Sequence, residues 1–321
     1  MIEPIRYKKQ NIKKNVFQSF LNECGDYYKQ KVDDEVSQIW SDGINDWTGR
    51  DVFNALEDKN IDELKSLYEN YYVSGLSEGA SCGKALEKEE TRIRKSKRNI
   101  DRVEPLRLHY GLDVTNPKEV YDVMFDKYHI PQSINIGQTW GWEYGDNFVH
   151  FEMADYLYFL DIVLKILNEY DLHRTCFIGD GSGLLSSLLY NNYDIKSSIH
   201  IDLAHLLLRQ YINNYEFKSK VSHLYAETFD VSYKHDTQIV INQDSFPEMT
   251  KDALEKYMDN LGVVNKVPFI LSYNIENGIT FNPHHTDYRG IIQSRGYESV
   301  WRFDSTVRPP YVFELFYKGE E

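Results

Sequence analysis

The stretch Thr175–Gly183 reads TCFIGDGSG: a short apolar run, then three glycines at alternate positions, leading into the helical pattern of Leu184–Asn191. A strand that turns through glycines directly into a helix is the start of a βαβ unit. Glycine there accepts backbone conformations closed to other residues and lets a ligand approach the chain. Outward from this stretch the alternation continues. Ser198–Ile201 (SIHI) is an expected strand ending at Asp202, Leu203–Tyr215 a helix and Val221–Tyr225 a third strand. Gln238–Ile241 (QIVI) is a fourth strand, Lys251–Leu261 a helix and Pro268–Tyr273 (PFILSY) a fifth strand. Strands separated by helices of this length imply a parallel sheet with helices on both faces. The late stretch YVFELFYK, from Tyr311, reads as an antiparallel closing strand. The expected class is therefore α/β, a doubly wound and mostly parallel sheet.

Upstream, residues 1–110 read as helical and irregular. Val16–Glu23 and Val32–Trp40 are short amphipathic stretches, and Asn60 stands as an N-cap ahead of apolar residues at helical spacing. Gly75–Gly83 is a Gly/Ser-rich loop. Leu86–Val103 is dense in charge, either a solvated helix face or a basic lip for a phosphorylated substrate. Ile134–Asn147 (INIGQTWGWEYGDN) is too broken by glycine for a helix and too polar for a buried strand. Glu152–Tyr170 is a long periodic helix. This divides the chain into a helical N-terminal accessory region, 1–130, and an α/β domain, 131–321, with 134–147 as its lid segment.

The bulk properties narrow the class. Of 321 residues, 41% are hydrophobic, and 25 Tyr, 16 Phe and 5 Trp supply core material, so a packed protein is expected. A net charge of -14 argues against nucleic acid or an anionic membrane as partner. Cys24, Cys82 and Cys176 form no CxxC pair, which fits a reducing cytoplasm. The N-terminus lacks the apolar core of a signal peptide, and no stretch is long enough to span a bilayer. Homo-oligomerisation is left open.

Glycines alone support a nucleoside cofactor only weakly, since such loops also serve as plain tight turns. Asp202 adds to them. It follows Gly183 by 19 residues, at the end of the next strand, where an acid accepts hydrogen bonds from ribose hydroxyls. A dinucleotide fingerprint would place a glycine at 184, where Leu stands. Asp180, between Gly179 and Gly181, suits a cationic or amine-bearing ligand better than a pyrophosphate. The methionyl end of S-adenosylmethionine carries an amine and a sulfonium. Leu203, Ala226, Glu227 and Asn242, beside the strand ends, complete the expected cofactor set.

Three pieces, FIGDGSGLLSSLL, IHIDLAHLLLRQYI and VINQDSFPEMT, resemble the sugar O-methyltransferases of bacterial polysaccharide clusters. Ala204 stands where that family has Pro, and Asp180 where it has Ala or Gly. The resemblance covers Phe177 to Tyr273. It implies a Rossmann-like class I methyltransferase fold, S-adenosylmethionine as cofactor, and a sugar or nucleotide-linked sugar as acceptor in surface polysaccharide synthesis. An NAD(P)-dependent sugar-modifying oxidoreductase is the alternative, as is a methyltransferase for another small molecule.

Transfer to a hydroxyl needs the oxygen held in line and its proton removed. Asp244, His284 and His285 are the candidate bases. A divalent ion orienting vicinal hydroxyls is an open option, with Asp244, Glu248 and His284 as candidate ligands. Ser245 is a candidate donor to substrate; equally, Ser245 and Glu248 fit a capping box. Gln138, Trp140, Trp142, Tyr144 and Asn147 of the lid are candidates for stacking on and bonding a sugar ring, or the tryptophans anchor the core.

Overall fold

The computed structural model describes residues 6–8, 11–24, 49–70, 89–113, 117–130, 139–144, 147–150, 152–226, 229, 231–275 and 286–319. In chain order these form β1 (Arg6–Lys8), α1 (Lys14–Cys24), α2 (Gly49–Glu57), α3 (Ile61–Glu69), α4 (Glu89–His109), α5 (Pro117–Lys127), β2 (Thr139–Tyr144) and β3 (Asn147–His150). There follow α6 (Met153–Tyr170), β4 (Arg174–Ile178), α7 (Leu184–Asn192), β5 (Ser197–Asp202), α8 (Ala204–Asn213), β6 (Val221–Tyr225) and β7 (Ile239–Gln243). The last elements are α9 (Lys251–Met258), β8 (Phe269–Ile275), α10 (Tyr288–Ser294), β9 (Glu298–Asp304) and β10 (Tyr311–Tyr317).

The main sheet has seven strands in the order β6-β5-β4-β7-β8-β10-β9. The five from β6 to β8 are parallel; β10 runs antiparallel to both β8 and β9. This is a doubly wound, mostly parallel Rossmann-like sheet, the α/β class expected from the alternation of strands and helices. Strand periodicity assigns the two faces. Phe177, Ile239, Ile241, Leu271 and Phe313 join one core with α6 and α7. Cys176, Ile178, Val240, Ile270 and Phe316 join another with α9 and α10. Glu314, fully buried in β10, is held by a bidentate pair with Arg289 of α10 at 2.7 and 2.8 Å.

The late closing strand is β10, as expected, but it lies inside the sheet and β9 forms the edge. Almost every β9 residue is exposed, so β9 carries no inward-facing apolar row by which to be read. The lid segment also differs from expectation: Thr139–Tyr144 and Asn147–His150 are strands, paired with β1 in a separate three-stranded antiparallel sheet. Its strands are short and need no continuous apolar run. Gly141 is required there, because a Cβ would overlap the Val149 carbonyl of the neighbouring strand.

Asn60 caps α3 as read, its side chain accepting from Glu63 N at 3.2 Å. The N-terminal helices clasp the sheet domain in two ways. Helices α1 to α3 pack Phe17, Phe20, Leu56 and Tyr68 against Leu207, Leu208 and Tyr211 of α8. Helices α4 and α5 meet α6 through buried charge. Arg102 pairs with Asp155, and Asp161 gathers His109 at 2.8 Å, Tyr128 at 2.7 Å and Lys127 at 3.1 Å. Burial opposes the charge on Asp161, but these partners and Lys165 outweigh it and hold the carboxyl far below the usual range. Val32–Trp40 and Gly75–Gly83 lie outside the described residues. Among the described residues no helix is long and apolar enough to cross a membrane.

Candidate functional site

In a doubly wound sheet the ligand crevice lies beyond the carboxyl ends of the strands, where strand order reverses. Here that point lies between β4 and β7. The segments that gather there are the glycine loop after β4, Asp202 at the end of β5, Ala226 after β6, Asn242–Glu248 across and beyond the end of β7, and the end of β8.

All three loop glycines are left-handed, with φ of 73° at Gly179, 55° at Gly181 and 74° at Gly183. Two are also sterically required. A Cβ at 179 would overlap the Ser245 side chain, and one at 183 would sit 2.8 Å from the Gln210 Cα. Gly181 differs: among the described residues a Cβ there meets nothing within 4 Å, so the loop faces open space at this residue. Asp180, between them, is buried. It accepts the Ser186 amide proton at 3.3 Å and so satisfies one of the free N–H groups that begin α7.

Asp202 accepts from Leu203 N at 2.8 Å and from the Gln210 side chain at 2.5 Å. Gln210 also donates to the Gly181 carbonyl at 3.3 Å, tying the acid to the loop. Its carbonyl lies 2.8 Å from His200 Nδ1, whose Nε2 is 2.6 Å from the Tyr190 hydroxyl, which in turn bonds Ser198. Burial pushes His200 down to about 4, so the ring is neutral near pH 7. A neutral imidazole can present Nδ1–H to the glutamine carbonyl, which leaves both amide hydrogens of Gln210 for Asp202 and Gly181. Nothing in SIHI or LLLRQ marks these residues as polar partners. Gln210 is found only from its place in α8, eight residues beyond Asp202.

At the end of β7, the Asn242 side chain is spent within the fold. It donates to the Ile178 carbonyl at 2.9 Å and to Ser245, and accepts from Asn274 at 2.8 Å, so it laces together the ends of β4, β7 and β8. Ser245 also donates to Ile178 O, at 3.2 Å. The capping box is not formed: Thr250 caps α9, accepting from Ala253 N, while Ser245 makes no capping bond. Asp244 is left-handed at φ 62°, a strained state for a non-glycine residue and one that clusters at functional sites. Its Oδ2 meets Arg308 Nη1 at 2.8 Å. Arg308 also donates to the Tyr311 hydroxyl at 2.8 Å and lies over that ring at 3.8 Å. Arg308 and Tyr311 were not legible as site residues, since 64 positions separate Arg308 from Asp244 and no motif joins them.

The structure thus brings Gly179, Asp180, Gly181, Gly183, Asp202 and Leu203 to one edge, with Ala226, Asn242, Asp244 and Ser245 beside them. The Ala226 carbonyl accepts from Tyr257 at 3.1 Å. Gln138, Glu227, His284 and His285 lie outside the described residues, while Trp140, Trp142, Tyr144 and Asn147 fall on β2 and β3. Among the described residues, no three His, Cys, Asp or Glu side chains gather as a metal set.

No protein-family model and no curated protein matches this chain. Solved structures similar to it include a candidate O-methyltransferase from Nostoc punctiforme, with TM-score 0.42 and 14% identity over 52% of this chain and 59% of that one. Another is the N-methyltransferase NodS from Bradyrhizobium japonicum in complex with S-adenosyl-L-homocysteine, with TM-score 0.41 and 12% identity over 51% and 87%. A third is an O-methyltransferase family protein from Burkholderia thailandensis, with TM-score 0.37 and 10% identity over 52% and 59%. The match to the Nostoc and Burkholderia structures thus spans less than two thirds of their lengths.

Proposed function

We propose that this chain is an S-adenosylmethionine-dependent methyltransferase that acts on a hydroxyl of a sugar or nucleotide-linked sugar. One observation carries the choice of cofactor: the start of α7, where a dinucleotide would lay its pyrophosphate, is filled by the Asp180 carboxyl. A pyrophosphate would meet like charge there and find an amide already taken. A ligand with a cationic end and a ribose meets Asp180 and Asp202 instead, across the open side of Gly181. Leu203 and Ala226 stand where they can flank an adenine. Bound, the cofactor supplies an electrophilic methyl group on its sulfonium sulfur.

On the acceptor side, Arg308 holds Asp244 and Tyr311 at the ends of β7 and β10, a polar cluster fit to orient hydroxyls. Asp244, His284 and His285 stay the candidate bases, and a divalent ion held in part by Asp244, Glu248 or His284 remains within the proposal. The sugar acceptor rests on the resemblance of VINQDSFPEMT. Residues 1–130 serve as an accessory region to an enzyme of the reducing cytoplasm. Calorimetry with S-adenosylhomocysteine and with NADH tests the cofactor. Binding of the first alone is expected; binding of NADH alone would replace this reading with the oxidoreductase.

A further inference from the structure

Asp180 does more than fill a helix start. The residue is only 4% exposed and is flanked by two left-handed glycines. Hydrogen bonds from Ser186 reach one oxygen, while Oδ1 has no partner among the described residues. An ionised carboxylate in such a place is poorly solvated. The packed elements add little to relieve it. From β5 comes Asp202, a charge of like sign; from α7 comes Tyr190, whose hydroxyl burial pushes well above its usual range. From α8 come Gln210 and Asn214, both neutral, bonded to Asp202 and Ser186. Burial foremost, with Asp202 adding to it, pushes the Asp180 carboxyl up to about 7, against hydrogen bonds from Ser186 and Leu185.

We propose that Asp180 senses the charge of the cofactor: it releases a proton when a sulfonium-bearing nucleoside fills the loop and recovers one when the neutral thioether product remains. This rests on the methyltransferase reading above. The proton passes to and from solvent, and no bond of the cofactor changes in the exchange. The geometry is what makes the carboxyl responsive. One oxygen is anchored on α7, the other has no partner among the described residues, and the loop opens at the adjacent Gly181. A positive charge placed beside that opening stabilises the ionised form without competing with an existing partner. Methyl transfer abolishes this charge, so the group that helps to hold the substrate form ceases to hold the product form. Discrimination between the two then rises with pH until Asp180 is fully ionised.

Calorimetric titration of the whole protein, between pH 6 and pH 8 and in buffers of different ionisation enthalpy, measures the linkage. With S-adenosylmethionine, affinity should climb by up to about tenfold per pH unit below pH 7 and then level off. At pH 7, about half a proton should leave Asp180 on binding. S-adenosylhomocysteine should show neither effect. Asp180→Asn keeps an acceptor for the Ser186 amide and subtracts the ionisation of the ligand's own amine. It should erase the difference between the two ligands and cost S-adenosylmethionine about tenfold at pH 8. Thermal unfolding without ligand checks the fold of the variant. The folded carboxyl titrates higher than the unfolded one, so ionising it costs the wild type stability as pH rises from about 4 to about 7. Asp180→Asn should therefore gain in melting temperature over wild type as pH rises through that range. The proposal falls if the wild-type and variant proteins show the same pH dependence with S-adenosylmethionine, or if the product shows the same linkage as the substrate form. If NADH binds and neither methionine nucleoside does, the cofactor reading itself has failed, and the two failures are told apart by that arm.

Discussion

The two halves of the ligand edge are built differently. On the β4–β5 side, polar groups are buried and joined in one chain that runs from Ser198 through Tyr190, His200 and Gln210 to Asp202 and the Gly181 carbonyl. On the β7–β10 side, polarity is concentrated in an Asp244–Arg308 pair that keeps 33% and 23% of its side-chain surface exposed, on a backbone in a strained state. A closed network fixes one geometry and serves a ligand that never changes. A half-open pair on a strained turn can readjust to an acceptor. Under the proposed function, the first half serves the cofactor and the second serves selection of the group to be methylated.

Acid should break this symmetry most strongly. His200 and His205 are both pushed down to about 4 by burial, and both lie on the β4–β5 side. Their folded values sit below the unfolded value near 6.5, so protonation favours the unfolded chain. Stability is complete above about pH 6.5 and is lost as pH falls toward 4, by about 1.4 kcal/mol per pH unit for each histidine. Hydrogen exchange should show β5 and α8 loosening in that window before β8 and β10. Uniform loosening across the sheet would refute the contrast. Next in size, Gly183→Ala combines left-handed strain with collision against the Gln210 backbone and should cost about 2–4 kcal/mol of stability, read by denaturant unfolding.

Asp202→Ala should weaken S-adenosylhomocysteine binding by about 10- to 100-fold in calorimetry, through lost charged hydrogen bonds. Unchanged affinity would remove Asp202 from the cofactor set. Arg308→Met should leave that affinity within about threefold and lower turnover or acceptor affinity, as measured by steady-state kinetics; an equal loss of cofactor affinity would merge the two halves into one. The smallest effect is expected at Gly181→Ala, where only backbone strain opposes the new methyl, about 1 kcal/mol.

The β4–β5 half was the more legible in sequence. Gly179, Gly181 and Gly183 are punctuation that a short strand and a helix make readable, and Asp202 stands at a spacing set by one helix and one strand. The buried chain behind them was hidden, because His200 in SIHI and Gln210 in LLLRQ sit in runs whose apolar pattern absorbs them. The β7–β10 half was hidden for another reason. Asp244 adopts a left-handed state that no glycine announces, and Arg308 arrives from a segment after β9, a strand that buries no face and shows no alternation. Asn242 and Ser245 lie at the strand-end edge, and their side chains are committed to Ile178 and Asn274, a use that only the packed strand ends reveal.

Helix α8 has a consequence of its own. One residue, Gln210, grips Asp202 and the glycine loop; the next, Tyr211, is wedged edge-on against Phe20 at 5.2 Å and hydrogen-bonded to Ser19 and Glu23 of α1. The helix works as a rigid spar with a different cargo lashed to each side. A substitution in α1 that lets the spar roll by a few degrees would reach the nucleoside end of the site without touching it, so damage distributed along the first helices would surface as altered cofactor affinity.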